Sequence, residues 1–205
     1  MPRFNGAIMI VRNQQINING MSFLPNNYEA PQGGGSYTKL KAGENRIRIV
    51  SNSLLGWLGW DADNKPHRSA KKEGLDSLSL RDKPRHFWAF LIWNYATDQI
   101  EILEVTQRSI QDGIMSLYHS EDWGDPKGYD ILVMKTGEGM ETKYTIQGTP
   151  KSKLDIDQVF AAFKKSPIDL SRLITGDDPF DAANDEADML IQKFEDDFNA
   201  DGLPI

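Results

Sequence analysis

Polar and apolar residues alternate at period two over Asn45-Arg46-Ile47-Arg48-Ile49-Val50, the signature of a half-buried strand. The apolar pattern runs on through Leu54, Leu55, Trp57 and Trp60, with Gly56 and Gly59 allowing a bend or bulge. Residues 61–84 are polar and rich in Lys and Arg, are interrupted by Pro66, Gly74 and Pro84, and read as a long loop. Arg85 to Tyr95 is the most aromatic stretch of the chain and predicts a strand, with Ala96 to Gln99 as a tight turn and Ile100 to Val105 as the returning strand. Thr106 then reads as a helix N-cap, and Gln107 to His119 carries Ile110, Ile114 and Leu117 at helical spacing. After a loop at 120–128, Tyr129 to Thr136 and Thr142 to Thr149 predict two strands joined by a turn at Gly137-Glu138-Gly139. Residues 155–165 form a short amphipathic helix, and a second helix is expected from Asp181 to Phe198.

The predicted order is three strands, a helix, then two strands. This is the order of a five-stranded oligonucleotide/oligosaccharide-binding (OB) barrel with its helix between strands 3 and 4, so the chain is expected to be mainly β. In that fold the loops between strands 1 and 2 and between strands 4 and 5 flank the ligand face. Here they are the basic 61–84 segment and the Gly137 to Glu141 turn. Residues 36–153 would be the OB domain. Residues 1–35, polar and ending in three glycines, read as a flexible N-terminal arm. Residues 154–176 read as a short helix and linker, and 177–205 as an acidic C-terminal tail.

Charge sharpens that division. The net charge of −7 is concentrated at one end. Residues 154–205 hold 4 Lys/Arg against 13 Asp/Glu, while residues 36–85 hold 11 basic and 6 acidic groups. An acidic total does not argue against nucleic acid when a local basic patch makes the phosphate contacts. No run reaches the roughly 18 to 20 apolar residues of a membrane span, and the apolar stretch Ala7 to Val11 is too weak for a secretory signal. A soluble, cytoplasmic protein is expected. There is no cysteine, which excludes disulfides, thiol nucleophiles and zinc sites with sulfur ligands.

Single-stranded DNA requires cations along a groove for phosphates and flat rings for stacked bases. The chain offers both. Phosphate contacts are expected from Arg46, Arg48, Lys65, Arg68, Lys71, Lys72, Arg81, Lys83 and Arg85, with Lys135 and Lys143 on the other rim. Bases are expected to stack on some of Trp57, Trp60, Phe87, Trp93 and Tyr95. Alternation sends Ile47 and Ile49 to the core and Arg46 and Arg48 to the solvated face. In Arg85 to Tyr95 both faces are apolar, and Arg85 tilts the choice toward the odd positions as the ligand face. In the tail, Phe194, Phe198, Leu203 and Ile205 punctuate the acidic residues and read as hydrophobic anchors for a partner protein. The tail can also compete with DNA for the basic groove. No P-loop, dinucleotide fingerprint or nucleophile elbow is present, and Asp61-x-Asp63 alone does not make a metal site. The chain is read as non-catalytic, without cofactor or metal.

Tyr37-Thr38-Lys39-Leu40-Lys41-Ala42-Gly43-Glu44-Asn45-Arg46-Ile47-Arg48-Ile49, Gly128-Tyr129-Asp130-Ile131, and Gly137-Glu138-Gly139 leading to Lys143-Tyr144 resemble the OB-fold of single-stranded-DNA-binding proteins of tailed bacteriophages. The resemblance covers about residues 36–153, and the acidic tail with a hydrophobic end is similar in kind. It implies a replication, recombination and repair protein that coats unpaired DNA, melts hairpins and recruits polymerase, helicase or primase through its tail. It also implies self-association through the N-terminal arm. The structural zinc of some family members cannot carry over to a chain without cysteine. The rival expectation is a protein-binding adaptor on an OB scaffold that binds no DNA.

Overall fold

The computed structural model describes residues 37–150, 154–181 and 184–200, with the backbone alone at 184, 185 and 198–200. All belong to one compact unit, residues 34–205. The expected arm, together with Leu203 and Ile205, lies outside the described residues.

Among the described residues seven strands form one antiparallel sheet: β1 (Gly43–Ile49), β2 (Leu54–Trp60), β3 (Pro66–Ser69), β4 (Arg85–Asn94), β5 (Gln99–Val105), β6 (Asp130–Thr136) and β7 (Lys143–Thr149). The helices are α1 (Arg108–Tyr118), between β5 and β6, then α2 (Ile156–Lys165), α3 (Arg172–Thr175) and α4 (Asn184–Ala200). The mainly β expectation holds, but the count of five strands does not. The expected first strand is two, separated at 50–53, and the supposed loop 61–84 contains β3 and a 3-10 turn at Lys72–Leu75. β3 is four residues long, a proline and three polar residues, too short for periodicity to reveal; pairing with β2 makes it a strand. The N-cap position of α1 is Gln107, not Thr106, and no side-chain capping hydrogen bond is made there.

β4 organises the sheet. One edge pairs with β5 from Trp88 to Asn94, and the other pairs first with β2 and then with β1. β1 continues to β6 and β6 to β7. The described strands do not close on themselves, since β5 and β7 do not pair. Gly56 permits the close approach of β2 to the Phe87 ring and to β3, because a Cβ there would stand 2.7 Å from that ring and 2.9 Å from the Ser69 carbonyl.

Apolar residues pack on both faces of β4. The even positions Phe90 and Ile92 join Ile47, Ile49, Ile131 and Val133 beneath α1. The odd positions Phe87, Ala89, Leu91 and Trp93 join Val159, Phe163, Leu173 and Phe194 of the C-terminal helices. α2 starts where the Asp155 carboxylate accepts the Gln158 backbone N–H at 3.1 Å. α4 is held to it by a stack of Phe194 on Phe163, 4.1 Å between centroids, and by Lys164 and Glu195 at 2.6 Å. Phe194 is therefore a core residue and cannot be an exposed anchor while α4 is docked. For Phe198 only the backbone is described.

Candidate functional site

The basic and aromatic residues gather around the end of the β2–β4 pair, beside the β2–β3 hairpin. Register fixes which side chains share a face. Trp57 pairs with His86 and Leu55 with Trp88, so these four stand on one face in two successive rungs. The Trp57 and His86 rings meet edge to face at 5.4 Å, and Lys72 Nζ lies 5.4 Å above the indole. Trp57, His86 and Trp88 are half-buried and Leu55 is exposed. They form a row of partly open, mostly aromatic side chains beside a cation. Gln111 Nε2 donates to the His86 carbonyl at 3.2 Å and to that of Val105 at 3.1 Å, clamping α1 to this strand end.

Trp60, three residues beyond Trp57, faces the other way and is 37% exposed. It lines a cavity of about 150 Å3 with Leu58, Arg81, Lys83, Arg85 and Thr106. Arg81 is anchored through Nη1 to Asn64 Oδ1 at 2.5 Å and through Nε to Asp82 at 2.9 Å. Lys65, Lys71, Lys72, Lys83 and Arg85 are exposed. The hairpin is braced by Asp61, whose carboxylate accepts the Lys65 backbone N–H at 2.9 Å and lies 2.8 Å from His67 Nε2. The hydrogen bond from His67, followed by those from the backbone, holds the Asp61 carboxyl below its ordinary pKa.

Other expected contacts fall elsewhere. Phe87 and Trp93 are core residues, 0% and 2% exposed, and have no free ring face. The odd face of β4 is covered by α2 and α4, and the open rings are on the even face. Ile47 and Ile49 are buried as expected, but Arg48 is buried too, at 4%. Asp130, wholly buried, explains this: Arg48 Nε donates to its Oδ1 at 2.7 Å, Arg46 Nε to its Oδ2 at 2.9 Å, and the Tyr95 hydroxyl to Oδ1 at 2.9 Å. Arg46 also lies 5.4 Å from the centre of the Tyr95 ring. This cluster ties β1, β4 and β6 together, and Arg48 within it is closed to a phosphate. Arg68 is engaged by Glu104 at 2.7 Å. Lys135, whose Nζ donates to the Leu40 carbonyl at 3.1 Å, and exposed Lys143 sit beside the start of β1, at the other end of the β1–β2 run from Arg85.

Sequence reasoning missed His86 and Trp88. A signal was present. An amphipathic helix at 155–165 requires an apolar sheet face to cover, and the odd positions of β4, small Ala89 among them, supply the flatter one. Among the described residues no cluster of His, Asp and Glu could hold a metal ion, and no helix is long and apolar enough to cross a membrane. Comparison with protein-family models, curated proteins and solved structures finds no match.

Proposed function

We propose that this chain binds single-stranded DNA, largely without sequence preference, as a non-catalytic protein of phage DNA replication, recombination and repair. The observation that carries this reading is the row Trp57, His86 and Trp88, partly open on one sheet face, with Lys72 over the first ring and Lys71 and Arg85 at the same strand end. Flat rings in a row accept bases of any identity, and the neighbouring ammonium and guanidinium groups offset phosphate charge. The cavity beside Trp60 adds two more cationic neighbours, Arg81 and Lys83. The order β5-β4-β1-β6-β7, with a helix between β5 and β6, supports an OB barrel left open between its third and fifth strands. In this reading β2–β3 extends the first strand and its loop over the ligand face. Replication partners would meet the acidic C-terminal segment.

Titration with oligo(dT), followed by tryptophan fluorescence, tests the reading. Quenching is expected, with Trp57→Ala weakening binding about tenfold, the value of one stacked base. An oligo(rU) arm measures the preference for DNA. Absence of binding to either strand would leave the adaptor reading, which the exposed side chains of Leu55, Met115 and Tyr118 favour.

A further inference from the structure

The aromatic row does not stop at Trp88. Beyond it the sheet face opens into a groove of about 450 Å3, walled by Trp88 and Leu55 on one side and by Met115, Tyr118 and His119 at the end of α1 on the other. Its floor is the core itself: Ile49, Phe90 and Ile114 are 3%, 0% and 3% exposed. A floor of this kind is preformed. Leu55 and Tyr118 stay 52% and 55% exposed, so the apolar walls stand open to solvent. The Tyr118 and His119 rings meet edge to face, 5.2 Å between centroids.

The polar lining narrows the choice of occupant. Ser51, Asn52 and Ser53 from the β1–β2 connection edge the groove with hydroxyl and amide groups. Lys127 brings a positive charge, but it is buried, its Nζ donates to Asn52 Oδ1 at 2.8 Å, and Asp125 lies 3.8 Å away. The lining is therefore close to electrically neutral. It suits a flat, neutral group with hydrogen-bonding edges and does not suit a phosphate. The groove is also the next step along the Trp57–His86 and Leu55–Trp88 rungs. A strand whose bases lie on those rungs reaches it without turning back.

We infer that this groove is a base-accepting subsite, in which one base of the bound single strand leaves the stacked row and lodges between Trp88 and Tyr118. The inference rests on the single-strand reading above. The subsite fixes where the base row ends, while its neutral lining leaves phosphates to the Lys72 and Arg85 end.

The test uses the full chain and oligo(dT) carrying 5-iododeoxyuridine, photo-crosslinked and mapped by peptide mass spectrometry. Crosslinks are expected on Trp57 and also on Trp88, Tyr118 or His119. Leu55→Glu and Tyr118→Ala, both at exposed positions, are expected to remove the groove crosslinks and weaken oligo(dT) binding about tenfold. Their urea midpoints should match that of the unsubstituted chain. If the unsubstituted chain binds and crosslinks at Trp57 while groove crosslinks are missing, the subsite is overturned and the single-strand reading stands. Unchanged affinity in both groove variants overturns it equally, and leaves the groove to a protein partner. If the unsubstituted chain does not bind oligo(dT), both readings fall together.

Discussion

Asp130 has no solvent exposure, yet it accepts hydrogen bonds from Arg46, Arg48 and Tyr95. Its replacement would leave the buried Arg48 guanidinium without a counter-charge, and such losses cost about 3–5 kcal/mol. Asp130→Asn is expected to lower stability by about that amount in urea unfolding at pH 7. A nearby group carries a pH dependence. Burial, and secondarily Asp125, push the Tyr129 hydroxyl up to about 12 from an ordinary 10.0. The unfolded chain thus loses this proton first, so the associated stability is complete below pH 10 and declines as pH rises toward 12. Tyrosinate absorbance should show a late-titrating group that Tyr129→Phe removes, and the same substitution should flatten the loss of stability in that window. Much at this scale was legible: alternation put Ile47 and Ile49 in the core. The burial of Arg48 was not, because the carboxylate that makes it tolerable lies 82 residues away in sequence.

At the scale of elements, period two identified β4 as a strand but could not say which face met which partner. That choice depends on α2 and α4, which follow more than sixty positions later and cover Phe87, Leu91 and Trp93. The stretch Arg85 to Tyr95 is apolar on both faces because both are used: one beneath α1, the other beneath the C-terminal helices. The acidic composition of α4 likewise concealed its packing residue. Phe194 is 6% exposed and stacked on Phe163, so Phe194→Ala should cost about 3 kcal/mol in chemical denaturation. A freely solvated segment would show no change. β3 escaped the pattern because its four residues, without an apolar alternation, are held as a strand by their neighbour rather than by their own periodicity.

For the molecule as a whole, the sign of its charge is a poor guide to its contacts. The acidic excess resides in residues 154–205, while Lys65, Lys71, Lys72, Arg81, Lys83 and Arg85 lie exposed along the segment around the β2–β3 hairpin. Under the proposed function, the logarithm of oligo(dT) affinity falls linearly with that of salt concentration. The double substitution Lys83→Glu and Arg85→Glu should reduce the slope by about 1.4, since each lost phosphate contact on a single strand removes about 0.7. A salt-independent affinity would contradict the assignment of these cations. The layout of hydrophobic clusters has its own consequence. Because β4 is the common wall of both, backed by rings on either side and bonded along both edges, neither cluster can melt by itself. Loosening the C-terminal helices withdraws support from the strand that α1 also depends on, so two separate interiors share a single cooperative fate.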